Sequence, residues 1–168
     1  VLVIGFGFFP VAKVGDSYIY YREMQKLTRA AETFKSSLNT SPFKEELDQA
    51  ADVRKAALGE LIQERVIRDA FGEFGGIPQK EIDENIAKVL GGSDPQKLKE
   101  AARRLYAMSY DDFKKYVILP KVEEVLLQGK VEASGKNYED WLSEKMGSTQ
   151  VSIYLLPYKW DGGELKNK

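Results

Sequence analysis

A chain of 168 residues and 19.0 kDa is long enough to bury a core of its own, and 43% hydrophobic with 30% charged residues is the balance of a folded domain, not a disordered one. A net charge of -1, a pI of 5.7 and the lack of any basic patch argue against a nucleic-acid binder. The chain has neither cysteine nor histidine, which removes disulfides, thiol nucleophiles, the usual general base, serine-type triads and most transition-metal sites.

Residues 1–9, VLVIGFGFF, are apolar residues and glycine running up to Pro10. Nine residues cannot span a bilayer, which needs about 20. Residues 1–10 are therefore expected to be the end of a membrane anchor or signal segment, a buried strand, or a piece that docks on a neighbouring chain. With no initiator methionine, the chain is expected to begin inside a longer protein.

Residues 11–160 read as one domain. VAKVGDSYI alternates apolar and polar residues about Gly15-Asp16, the pattern of strand, tight turn and strand. From Tyr21 to Leu38 the period becomes helical, with Met24, Leu27, Ala31, Phe34 and Leu38 on one face. Asn39-Thr40-Ser41-Pro42 breaks it, and a polar helix is expected from Phe43 to Ala57.

The central stretch, 58–89, is two helices about a Gly75-Gly76 corner. Leu58, Leu61, Ile62, Val66, Ala70, Phe71 and Phe74 form the apolar stripe of the first, and Ile82, Ile86 and Val89 that of the second. A stripe of this length predicts that other elements pack on it. Gly91-Gly92-Ser93-Asp94-Pro95 precedes a short helix over 96–106, and Ser109-Tyr110-Asp111-Asp112 resembles a capping box at the start of a long one. Pro120 should remove a hydrogen bond inside that helix and kink it. Asn137 caps a last helix over 138–146, and 150–160, QVSIYLLPYKW, reads as a strand. The tail, 161–168, is polar and expected to fray. The fold expected is mostly α, with a small β-sheet formed by N- and C-terminal strands.

No catalytic constellation stands out. Glu60 and Glu64, and Asp111 and Asp112, are better read as partners of Arg65, Arg68 and Lys114 on solvated faces than as an acid pair. The glycines at 5 and 7 and over 72–76 lack the strand-turn-helix setting of a phosphate loop. Asp83 and Glu84 lack the alternating oxygens of a calcium loop. No cofactor and no metal are expected. Phe34, Phe43, Tyr106, Met108 and Tyr110 fall near predicted helix ends, where side chains line grooves. With Met24 and Leu38 they are the candidate peptide-binding residues, since aromatics and methionine adapt to varied apolar partners. Trp141, Tyr154 and Trp160 read as packing residues.

VAKVGDSYIYYREMQKL resembles the opening of the SurA N-terminal chaperone domain, shared in outline with PrsA- and PpiD-type foldases. ALGELIQERVIRDAFGEFGGIPQKEIDENIAKV is similar to that family's long helix, glycine corner and acidic helix. MSYDDFKKYVILPKVEEVLLQGKV resembles its polar–aromatic–acidic start of a further long helix. The likeness covers residues 11–131 through loose helical motifs in the family's order. Tyr20 and Tyr21 depart from it where a Ser/Thr-like cap is usual, as does Pro78 in another cap region. The parvulin isomerase domain, whose sites usually include histidines, has no counterpart after the long helix.

The resemblance implies a helical chaperone-like domain that binds unfolded or exported polypeptides without ATP and is not an enzyme. It also implies a place outside the cytoplasm, anchored to the bacterial cell membrane through upstream residues. Two alternatives stay open. One is a prolyl isomerase or its degenerate relative. The other is an assembly protein that uses the fold for a fixed partner or for homo-oligomers.

Overall fold

The computed structural model describes residues 7–37 and 52–168. Leu38, Phe43 and most of the helix expected from Phe43 to Ala57 lie outside the described residues, and the end of it that is described, from Val53, is continuous with the central helix. What is described is mostly helical with two small antiparallel sheets, built from strands near the two ends of the chain.

Gly15, at φ 53, turns β1 (Pro10–Val14) into β2 (Ser17–Tyr20), pairing Val14 with Ser17. α1 (Tyr21–Ser37) follows directly. The Phe9 carbonyl accepts from the Tyr21 amide at 3.1 Å, and the Phe9 and Tyr21 rings stack at 4.9 Å. This end of the apolar opening is thereby fixed to the first helix.

α2 (Val53–Ala70) is the central element, packing on α1, on the strands and on two later helices. Asp52 caps it, its Oδ1 accepting from the amides of Arg54 at 3.0 Å and Lys55 at 3.1 Å. The helix has two apolar ends with different partners. Leu58, Leu61, Ile62 and Val66 are buried with Val11, Val14, Ile19 and Met24. Ile67 and Ala70 are buried with residues of the C-terminal helices. Truncating one such leucine to alanine costs about 2–5 kcal/mol, so this stripe outweighs any helix propensity of the surface residues.

A 3₁₀ turn (Phe71–Phe74) leads to Gly75 and Gly76, at φ 77 and 76, which make the corner a side chain would strain. Beyond it, α3 (Gln79–Leu90) buries Ile82 but leaves Val89 59% exposed, so its inward face is shorter than the spacing predicts. Asp94 caps α4 (Pro95–Tyr106), accepting from the Gln96 amide at 2.8 Å. Ser109 caps α5 (Tyr110–Phe113), accepting from the Asp112 amide at 3.1 Å.

From α5 the chain passes through a π-helical segment (Lys114–Ile118) into α6 (Leu119–Ala133). The Leu119 amide donates five residues back, to the Lys114 carbonyl. Pro120 has no amide hydrogen, and its ring cannot sit against the carbonyl one α-turn earlier. The distortion expected at Pro120 is thus a widened turn in a backbone that stays helical on both sides. α6 buries Val122, Glu123, Leu127 and Val131. α7 (Tyr138–Ser148), capped by Asn137, packs Tyr138 and Trp141 on Ile67, Leu127 and Val131.

The C-terminal residues differ from the single strand and frayed tail that the sequence suggested. β3 (Val151–Ile153) pairs with β1, giving a sheet in the order β2-β1-β3. β4 (Tyr158–Asp161) and β5 (Glu164–Asn167) form a separate hairpin in which Asp161 pairs with Glu164. Gly162 and Gly163, at φ 61 and 92, supply the left-handed turn that a two-residue hairpin needs. Strand pairing and the burial of Tyr158, with Trp160 and Leu165 packed beside it, hold the tail that polarity alone marked as loose.

Candidate functional site

α1, α2, α4 and the π segment diverge around an apolar groove. Its walls are Leu27, Ala30, Ala31 and Phe34 of α1, Ala56, Ala57, Glu60 and Glu64 of α2, Tyr106 of α4, and Tyr116, Val117 and Pro120. The cavity is about 290 Å³, room for a few side chains and not for an extended ligand to be swallowed whole. Alanines on α1 and α2 keep the two helices from filling the space between them. The π turn brings Tyr116 and Val117 to the opposite wall, beside Pro120.

One end is built from aromatic rings. Phe34 and Tyr106 stack at 5.2 Å between centroids, and Tyr106 meets Phe113 at 5.2 Å with the rings tilted by 43°. Lys26 ties this end together. Its Nζ is 2.6 Å from Asp112 Oδ1 and lies 5.3 Å from the centre of the Tyr116 ring. That bond, ahead of the opposing effect of burial, holds the Asp112 carboxyl below its usual value.

Beneath the groove runs a ladder of charges joining three helices. Arg65 reaches Glu23 of α1 at 3.0 Å and Glu64 at 2.9 Å. Arg68 meets Glu64 at 2.9 Å and grips Glu123 of α6 through two bonds, at 2.8 and 3.3 Å. Burial pushes the Glu64 carboxyl upward, with Arg65 and Arg68 opposing. Glu64 and Asp111 have the basic partners the sequence suggested, the latter with Lys114 at 3.0 Å. Glu60 does not: it has no ion pair or hydrogen bond among the described residues. Among those residues no group of carboxylates is arranged to hold a metal ion, and no helix is long and apolar enough to cross a membrane.

Of the candidate residues, Phe34 and Tyr106 come together in the groove. Met24 and Met108 are core residues, 2% and 6% exposed, and so cannot offer a free surface in this arrangement. Tyr110 stands apart under Lys114, whose Nζ lies 4.8 Å from its ring centre. Sequence reasoning missed Leu27, Glu60, Tyr116, Val117 and Pro120 as groove residues. Pro120 was the available signal, because a proline inside a helical pattern marks local distortion, and distorted helical turns recur at functional sites. Tyr154 is 37% exposed and does not pack as expected, while Trp141 and Trp160 do.

The chain matches no family model, no curated protein and no solved structure.

Proposed function

We propose that this domain holds apolar stretches of unfolded or exported polypeptide, reversibly and without ATP, as a chaperone-like module. The observation that carries this reading is the apolar groove among the described residues, with the stacked Phe34 and Tyr106 rings at one end. Side chains of varied shape can enter a carbon-lined cleft of this size, and low shape specificity suits many clients. The order of motifs resembling the SurA N-terminal domain supports the same reading. With the apolar opening of the chain, it also supports a place outside the cytoplasm and a membrane tether upstream.

The module acts by coverage and not by catalysis: in a peptide prolyl-isomerisation assay the rate with the protein should equal that in buffer. The deciding experiment follows light scattering from a chemically denatured client diluted into buffer. The intact domain should slow aggregation, and Phe34→Ser or Tyr106→Ser should abolish the effect while far-ultraviolet circular dichroism stays unchanged. A wild-type domain that neither slows aggregation nor binds unfolded peptide defeats the reading.

A second reading is self-association, favoured by the outer strand β2. Among the described residues it is paired on one side only and leaves Tyr18 45% and Tyr20 41% exposed, with Phe8 64% exposed nearby in the chain. If this edge joins copies, Tyr18→Lys with Tyr20→Lys turns an oligomer into monomers in sedimentation velocity and leaves client binding intact.

A further inference from the structure

Glu60 stands where three hollows meet. It borders the apolar groove, the neighbouring depression of about 230 Å³ beside Lys121 and Glu124, and the wide hollow of about 820 Å³ that runs toward the β4–β5 hairpin. The other acids nearby are already neutralised. Glu64 is held by Arg65 and Arg68, and Glu124 by Lys121 at 2.7 Å. Of the acids lining the apolar groove and the neighbouring depression, Glu60 alone has no ion pair among the described residues. Glu60 is exposed at the edge of this carbon-lined cleft, so its carboxylate is open to a bound cation. Neighbouring atoms partly desolvate the carboxyl and raise its proton affinity, Glu124 adds to the rise, and Lys121 opposes it without pairing.

From this charge pattern we infer that the groove selects polypeptide segments in which an apolar side chain is flanked by lysine or arginine. The apolar side chain enters among Leu27, Phe34, Tyr106 and Pro120, and the cation meets the Glu60 carboxylate at the mouth. The partner is thus an unfolded basic–apolar segment, and acidic segments are turned away by the same charge. This rests on the groove being the client site and adds what it prefers.

The test uses three fluorescein-labelled unstructured peptides of equal length, sharing a Leu-Phe cluster and differing in one neighbour: lysine, glutamine or glutamate. Anisotropy titrations at low salt should rank them lysine, glutamine, glutamate, with lysine ahead of glutamine by about fivefold, and added salt should shrink the gap. Glu60→Gln should level lysine with glutamine, with an unchanged Tm showing that the fold is intact. Glu60→Lys should reverse the order. Equal binding of all three by the wild type, or an order that survives Glu60→Gln, overturns the preference and leaves the groove as the client site. Binding of none of the three defeats both.

Discussion

Phe34 and Tyr106 lie face to face, 5.2 Å between ring centres and 8° from parallel, although 72 positions separate them in the chain. Both rings are half-buried, so the stack closes one end of the groove and also presents aromatic surface to it. An aromatic pair contributes about 0.5–1.5 kcal/mol beyond the area it buries. A double-mutant cycle with Phe34→Ala and Tyr106→Ala should therefore show a coupling of about 1 kcal/mol in urea unfolding. A coupling near zero would mean that the two rings stand in the groove independently.

A second prediction concerns Glu123, only 5% exposed on α6, whose compensation comes from Arg68 on α2. Removing one partner of such a pair leaves a charge stranded in the interior. Arg68→Ala should destabilise the domain by about 3–5 kcal/mol, and adding Glu123→Met should recover much of that loss because the stranded carboxylate is gone. The measurement is the urea midpoint of the two variants. If the double variant is no more stable than Arg68→Ala, the cost lies in the bond from Arg68 to Glu64 or in lost packing.

The part of the fold that rests on periodicity was legible. The α2 stripe, the Gly75-Gly76 corner and the Asp94, Ser109 and Asn137 caps all follow from spacing and side-chain chemistry, and each sits where those rules place it. What escaped depends on partners far along the chain. The Gly162-Gly163 turn was visible as a dipeptide, but the polarity of 161–168 masked it, because strand pairing leaves no mark on composition. Pro120 announced a distortion without saying that the helix would widen and continue. Aromatic content alone could not separate Phe34 and Tyr106 from the buried Met24 and Met108, since adaptable apolar residues serve cores and grooves alike. Glu60 and Glu64 are one turn apart on one helix, and the pairing of Arg65 and Arg68 with Glu64 makes them different.

The bond from the Tyr158 hydroxyl to Asp52 Oδ2 joins the hairpin to the cap of α2, and it makes stability depend on pH at both ends of the scale. Burial, then acceptance by Asp52, pushes the Tyr158 phenol up from 10.0 to about 12. Below pH 10 the folded and unfolded states both keep the proton, so this contribution is fully present. Between about 10 and 12 only the unfolded state loses it, and stability falls as pH rises, until the contribution is gone above the folded value. At the acid end the signs reverse. The Tyr158 bond holds the Asp52 carboxyl down, burial opposes it, and the Lys55 and Arg54 amides help. That contribution is present above the ordinary carboxylate value and is lost as pH falls through the depressed one. Tyr158→Phe should therefore cost about 1–2 kcal/mol near neutral pH and flatten both limbs of the stability profile. Tyr138, also pushed up to about 12, by burial first and then by Glu124, keeps part of the alkaline limb in that variant, and adding Tyr138→Phe should remove it. Urea midpoints collected across the pH range check this. Wild-type and Tyr158→Phe profiles that run parallel at high pH would show that the phenol ionises alike in the folded and unfolded chains.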